Sequence, residues 1–261
     1  MSPILKDAPW AIAHRGASRF APENTQPAFD KAVDAATDAI EVDLQLSRDG
    51  VPVVYHDQTL DRIGQGIRGV DQWDFQQLKE MDFGGWFSPE YSQTHILSLE
   101  ELLGRYAGSA VLMIEIKEIV GKACYKRHAI LVQKLIDQIR KFKVESRVMI
   151  LCFDLRVLQA AYNIAPDLRY VWNLRKAFGF TPANLNKSAF LYAYSIKVKS
   201  LTPDFVENAH RAGKPVFTFT VNSEGYFMAA CKAGVDGMMT DNPSWMVRLI
   251  FEQELRRSAT D

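Results

Sequence analysis

Three acidic side chains stand inside stretches that are otherwise apolar: Glu41 and Asp43 within Ala39–Leu46, and Glu115 within Ala110–Lys117. An isolated buried carboxylate costs far more than packing returns, so such a set requires protonation, cationic partners or a metal ion. Three carboxylates with no Cys and few His nearby suit a hard, oxygen-seeking divalent cation, Mg²⁺ or Ca²⁺. His14 and His56 each close a further apolar run. Imidazole titrates near neutrality and can give and take a proton within one turnover, which makes the two a candidate acid/base pair with either residue as the acid. Arg15 and Lys117 stand beside the acids, one a planar fork and the other a point charge, and both suit phosphate oxygens. The combination describes phosphoryl chemistry. The competing account is a structural salt-bridge network joining Glu41 and Glu115 to Arg15 and Lys117. For any single acid that account is simpler, but the whole set falls at strand ends, where a barrel places its substrate. His95, His128 and His210 read as ordinary hydrogen-bonded side chains on helices or loops away from strand ends.

These residues need elements to position them. Trp10–Ala13 reads as a strand ending at His14-Arg15-Gly16, followed by a loop and a helix with apolar Ala28, Phe29, Ala32 and Val33. In the next strand, Ile40, Val42, Leu44 and Leu46 alternate with Glu41, Asp43 and Gln45, so the acids share one face. Arg48-Asp49-Gly50 is a turn signal and Val51–Tyr55 a returning strand, a hairpin that brings His56 back toward Glu41. Residues 57–97 are rich in Gly, aromatic and polar residues, with one modest helical pattern at Phe75–Met81, and read as a small insertion over a barrel mouth. Strand and helix then alternate: helix Leu99–Tyr106, strand Ala110–Lys117, helix Ala123–Phe142, strand Arg147–Phe153 and helix Leu155–Ile164. Strand Leu168–Asn173 follows, then a loose aromatic stretch through Ala193 and strand Ser195–Val198. Helix Pro203–Ala212, strand Pro215–Val221, helix Glu224–Ala233, strand Val235–Thr240 and a last helix from Pro243 complete the chain. Eight main strands in this order predict an α/β fold, a (β/α)8 barrel in one domain spanning 1–261, with the site at the C-terminal strand ends. A doubly wound open sheet is disfavoured because His14-Arg15-Gly16-Ala17-Ser18 is not a GxGxxG turn.

Composition narrows the partners. Acidic and basic residues balance at 31 each, so no net field draws the chain to nucleic acid or an anionic membrane, and a small molecule is the expected partner. Cys124, Cys152 and Cys231 are widely spaced and odd in number, the pattern of reduced thiols. No leader-like N-terminus and no run near the ~20 apolar residues of a membrane span is found, so a cytoplasmic enzyme without stable membrane insertion is expected. Nothing in the pattern addresses oligomeric state.

The motifs carry a further implication. His14-Arg15-Gly16, Pro22-Glu23-Asn24-Thr25, Ile40-Glu41-Val42-Asp43, Val53-Val54-Tyr55-His56-Asp57, Gly84-Gly85-Trp86-Phe87, Ile114-Glu115-Ile116-Lys117, Thr220-Val221-Asn222 and Gly234–Pro243 resemble the glycerophosphodiester phosphodiesterase family in order and spacing. The resemblance implies His14 and His56 as acid and base, Glu41, Asp43 and Glu115 as metal ligands, and Arg15 and Lys117 on the phosphate. It adds a substrate, a glycerophosphodiester such as glycerophosphocholine or glycerophosphoethanolamine, cleaved to glycerol 3-phosphate and an alcohol. Whether water or the glycerol 2-hydroxyl attacks stays open. Thr37, Ile63, Cys152 and Phe219 depart from the family pattern; Phe219, standing where Trp is usual, and Trp86 would form an apolar substrate wall. Two other readings are weighed. A lysophospholipase D or sphingomyelinase D type of activity would need an apolar rim, for which Phe20, Trp86, Phe87, Phe178 and Phe180 are candidates. A non-catalytic binding protein would be expected to lack one essential group, and none is missing.

Overall fold

A computed structural model describes residues 8–117, 124–177 and 188–258. Nine strands lie among the described residues: β1 (Trp10–His14), β2 (Ala39–Leu46), β3 (Pro52–Val54), β4 (Val111–Ile116), β5 (Val148–Cys152), β6 (Arg169–Leu174), β7 (Ala193–Lys197), β8 (Val216–Phe219) and β9 (Gly237–Thr240). The described helices are α1 (Gln26–Asp34), α2 (Phe75–Lys79), α3 (Leu99–Tyr106), α4 (Cys124–Phe142), α5 (Leu155–Ile164), α6 (Pro203–Arg211), α7 (Glu224–Ala233) and α8 (Pro243–Ser258). The sheet runs β1-β9-β8-β7-β6-β5-β4-β2, and a β1–β2 pairing closes it into a ring of eight parallel strands, the (β/α)8 barrel expected from the alternation. β3 lies outside the ring, antiparallel to β2 with Leu44 opposite Val54.

Period-two alternation sorts the strand residues into two cores. Trp10, Ile12, Ala39, Val111, Met113, Met149, Leu151, Val171, Ala193, Phe217 and Met239 fill the barrel interior. Their neighbours, such as Ala11, Ile40, Val42, Leu112, Ile114 and Ile150, face outward and pack against the helices. Gly237 belongs to the interior because a Cβ there would stand 2.8 Å from the Phe217 ring and 3.1 Å from Ile12. The strand expected from Ser195 begins earlier, at Ala193, because Ala193 pairs with Val171 and fills the interior beside Phe217. Helix starts follow local chemistry: Ser98 and Glu101 form a capping box on α3, and the Thr202 and Ser223 hydroxyls accept from the first turns of α6 and α7.

Residues 57–97 wrap the outer face of the β2–β3 hairpin. Leu60, Ile63, Val70, Leu78, Phe83 and Ile96 bury against Val53 and Tyr55 in an apolar cluster of their own. The segment is pinned by Arg48–Asp74 at 2.6 Å and by the Tyr91 hydroxyl, which donates to the Phe20 carbonyl at 2.9 Å. Phe178 and Phe180, candidates for an apolar rim, lie outside the described residues. No helix among the described residues is long and apolar enough to cross a membrane.

Candidate active site

The interior rows of the barrel turn polar at their C-terminal ends. The last apolar interior residue of a strand is followed two positions later by a polar or aromatic one: Ile12 by His14, Ala39 by Glu41 and then Asp43, Met113 by Glu115 and then Lys117, Leu151 by Phe153. Parallel register then aligns the rows, with His14 opposite Glu41 and Asp43 opposite Glu115. One carboxylate oxygen each from Glu41, Asp43 and Glu115 lies within 4.8 Å of the other two. All three side chains are buried, Asp43 to 1% exposure.

Two cations are built into this cluster. Arg15 takes a left-handed backbone (φ 57°) that points its N–H at Glu41 Oε2 (3.1 Å). Its guanidinium reaches Asp43 Oδ2 at 3.1 Å through Nε and Glu23 Oε1 at 2.9 Å. The turn depends on Gly16, at φ 82°, where a Cβ would meet the Ala28 backbone at 2.7 Å. Asn24 clamps Asp43 from below: its amide donates to Oδ2 at 2.8 Å and its carbonyl accepts the Asp43 N–H at 3.2 Å. Lys117 donates to Glu115 at 2.7 Å and lies 3.2 Å from Asp43 Oδ1. The acids respond unequally. Burial, then the neighbouring Asp43 charge, pushes Glu41 and Glu115 above the usual carboxylate range. Burial opposes ionisation of Asp43 too, but Arg15 and Lys117 outweigh it and hold Asp43 well below that range. Burial works against the charge on Arg15 and Lys117 as well, and Asp43 together with their other acidic neighbours more than compensates.

Both histidines are oriented by a carboxylate. His14 Nδ1 is 2.7 Å from Asp241 Oδ1, and Asp241 is fixed by the Asn222 amide at 2.6 Å. His56 Nδ1 is 2.6 Å from Asp57 Oδ1; Asp57 takes Arg62 Nε at 2.6 Å, and Arg62 continues to Glu23 at 2.6 Å. The hydrogen bond from His56, opposed by burial and reinforced by Arg62, pulls the Asp57 carboxyl down to about 2. With Nδ1 donating to a carboxylate, Nε2 of each ring is left for proton exchange. Tyr55 N–H donates to the Asp43 carbonyl at 3.0 Å, so the hairpin delivers His56 beside the acids.

A cavity of about 290 Å³ joins these groups, lined by His14, Arg15, Glu41, His56, Glu115 and Lys117 together with Phe153, Asn173, Arg175, Lys197 and Phe219, and the Asn173 amide donates to Glu115 Oε2 at 2.8 Å. A second lobe of about 240 Å³ adds Gln45, Asp57 and Gln58 and shares Phe153 and Arg175. Asp43 sits beneath the lining, held by Arg15, Lys117 and Asn24. Phe219 lies on the wall, edge to face with Phe153 at 6.1 Å. Trp86, paired with Phe219 as substrate wall in the sequence, lines neither lobe: its ring carries the Arg62 guanidinium at 4.6 Å and its indole N–H donates to Phe83 O at 2.9 Å, so it braces Arg62 instead. His128 is not remote from strand ends as expected; its Nε2 donates to the Lys117 carbonyl at 3.0 Å, bracing the end of β4 from α4. His210 pairs with Asp236 at 2.8 Å and His95 is exposed. Asp241 stands out in the sequence as a polar residue closing an apolar strand, whereas Asp57, Asn173, Arg175 and Lys197 carry no signal in their type. Position identifies them: Asn173, Arg175, Lys197 and Asp241 continue interior rows, and Asp57 follows a hairpin histidine.

The glycerophosphoryl diester phosphodiesterase family matches residues 14–244, a span that holds every group of this site. The chain belongs to that family. A glycerophosphodiester phosphodiesterase of Caldanaerobacter subterraneus subsp. tengcongensis is 31% identical over 239 residues, 92% of this chain and 96% of the relative. The crystal structure of a glycerophosphodiester phosphodiesterase from Agrobacterium tumefaciens is similar with a TM-score of 0.78 at 26% identity, covering 92% of this chain and 99% of that one. A phosphodiesterase from Oleispira antarctica, solved with the product sn-glycerol-3-phosphate, has a TM-score of 0.83 at 24% identity, covering 94% and 97%. As a member of the glycerophosphodiester phosphodiesterases, the chain is a phosphoric diester hydrolase.

Proposed function

We propose that this enzyme hydrolyses glycerophosphodiesters to sn-glycerol 3-phosphate and a free alcohol, with His14 and His56 as the acid/base pair beside a divalent cation held by Glu41, Asp43 and Glu115. The observation that carries the reading is the meeting of two carboxylate-oriented histidines and three buried acids in one cavity. The product held by the Oleispira enzyme on the same fold supports the product assigned here. The residues fit a cation: burial and like charge strain Glu41 and Glu115 in the ionised form, and an all-oxygen donor set suits Mg²⁺ or Ca²⁺. When bound, such an ion neutralises charge on a phosphoryl oxygen as a Lewis acid.

The chain's own groups supply the rest. One imidazole takes the proton of the nucleophile at Nε2, and the other gives its Nε2 proton to the departing alcohol oxygen. Asp57 and Asp241 stabilise whichever ring is cationic. Arg15 donates one terminal nitrogen to Glu23 and holds Asp43 as an ion pair, and Lys117 lies within reach of Glu115 and Asp43; their other N–H groups are available to phosphate oxygens. Water and the glycerol 2-hydroxyl use the same pair. The test is turnover of a glycerophosphodiester panel, with lysophosphatidylcholine alongside, in chelator and then with Mg²⁺ or Ca²⁺. Release of glycerol 3-phosphate only with cation is expected; full activity in EDTA, or cleavage of the lysolipid alone, would overturn the reading. A transient cyclic phosphate would identify the 2-hydroxyl as nucleophile.

A further inference from the structure

The charges around the mouth are not evenly distributed. In ring order β1-β2-β4-β5-β6-β7-β8-β9, β7 stands opposite β2, and β6 lies between β7 and the acids, its Asn173 amide donating to Glu115 Oε2 at 2.8 Å. Beyond these strand ends, Asn173 is followed two positions on by Arg175, and Ser195 by Lys197. Both cations are exposed and both line the cavity. Lys197 ends β7 opposite Phe219 of β8 and forms no ion pair with an acid among the described residues. Arg15 and Lys117, in contrast, are committed to Asp43, Glu23 and Glu115. The aromatic pair Phe153–Phe219 also lines the cavity, a surface that by itself suits a quaternary ammonium through cation–π attraction. The Arg175 guanidinium, 4.3 Å from the Phe153 ring centroid, already occupies that position.

We propose that Arg175 and Lys197 form a binding position for a negatively charged leaving alcohol, so that the enzyme prefers glycerophosphodiesters whose alcohol carries a further phosphate or carboxylate over those carrying choline. This rests on the phosphodiesterase reading above and narrows its substrate class. A substrate with its phosphodiester at the histidines and acids reaches across the mouth toward β6 and β7, where an anionic group meets two cations and a trimethylammonium meets repulsion. The pair acts on specificity and takes no part in the chemical step.

The test compares kcat/KM for glycerophosphoinositol 4-phosphate, glycerophosphoglycerol and glycerophosphocholine, an anionic, a neutral and a cationic alcohol. The wild type should favour them in that order. Lys197→Glu should lower the anionic-to-choline ratio by about tenfold or more, and Arg175→Met by about tenfold, the size of an ion pair strengthened by charged hydrogen bonds. Lys197→Arg should retain the preference, and ~0.5 M salt should shrink it in the wild type, as exposed charge pairs are screened. Lys197 is on the surface, so Lys197→Glu is the variant that decides. A wild type that favours choline, or a ratio unmoved in folded Lys197→Glu, would overturn this inference while leaving the phosphodiesterase reading intact. A folded wild type that cleaves none of the three would overturn both.

Discussion

Replacing Glu41 by Gln separates a metal site from a salt-bridge network by the sign of its effect on stability. Glu41 is 3% exposed and is pushed above its ordinary 4.5 by burial, then by Asp43 and Glu115. Each pH unit by which ionisation is delayed costs about 1.4 kcal/mol of folding stability. At about pH 7.5, roughly three units above the ordinary value, the cost is bounded at about 4 kcal/mol. The sign follows from proton uptake: with the folded value above the unfolded one, the folded chain binds more protons, and stability falls as pH rises through that window. A neutral isostere escapes the cost, and the Gln carbonyl can still accept the Arg15 N–H that Glu41 accepts at 3.1 Å. In EDTA, Glu41→Gln should therefore be more stable than the wild type, by an amount no larger than that bound of about 4 kcal/mol. With Mg²⁺ or Ca²⁺ at a hundred times its dissociation constant, the wild type should gain about 2.7 kcal/mol and the variant much less. Urea melts in both buffers, with titration calorimetry for binding, would reveal this crossing. A structural role for the Glu41 charge predicts the reverse, a variant less stable than the wild type in EDTA because it loses a negative charge facing Arg15 and Lys117, with a wild type indifferent to cations. That outcome would refute the metal assignment.

Two further outcomes follow. His14→Ala and His56→Ala should each lower kcat by roughly 10²-fold or more in folded protein, and the double variant should lose less than the combined effect, since both act in one transition state; steady-state kinetics and circular dichroism decide. Asp57→Asn should lower kcat about 10–100-fold by removing the carboxylate 2.6 Å from His56 Nδ1. It should also flatten the acid limb of the stability profile. Asp57 falls from 3.8 to about 2 on folding, so its contribution is present above about pH 4 and is lost as pH falls toward 2. Urea midpoints measured across that range should drop less steeply in the variant, and parallel profiles would show that Asp57 carries no such linkage.

Much of this site is legible in the chain itself because it follows local periodicity. The alternation of Ile40, Val42 and Leu44 with Glu41 and Asp43 puts both acids on one face whatever the strand pairs with, and eight strands alternating with helices along most of the chain point to a closed parallel sheet. Arg48-Asp49-Gly50 returns the chain so that His56 ends beside the acids. The motifs that carry the chemistry are local for the same reason: His14-Arg15, Glu41-Val42-Asp43 and Glu115-Ile116-Lys117 are strand ends and the residue or two after them.

Other features depend on how distant segments meet. Asp43 lies opposite Glu115, 72 positions later, only because β2 and β4 adopt one particular stagger, and no pattern within either strand sets it. The unequal fates of the acids arise in the same way, since Arg15 and Lys117 both converge on Asp43 and leave Glu41 and Glu115 strained. Trp86 looked like substrate wall by its type and loop, yet the chain through Asp57, Arg62 and Glu23 turned it into a brace. Arg175, just past the end of β6, and Lys197, the last residue of β7, read as ordinary surface until the ring closes. The sequence by itself determined which face each group occupies, because side-chain direction is a property of the local backbone; the tertiary structure alone decided which groups meet, because register and ring closure are set by packing among segments far apart in the chain.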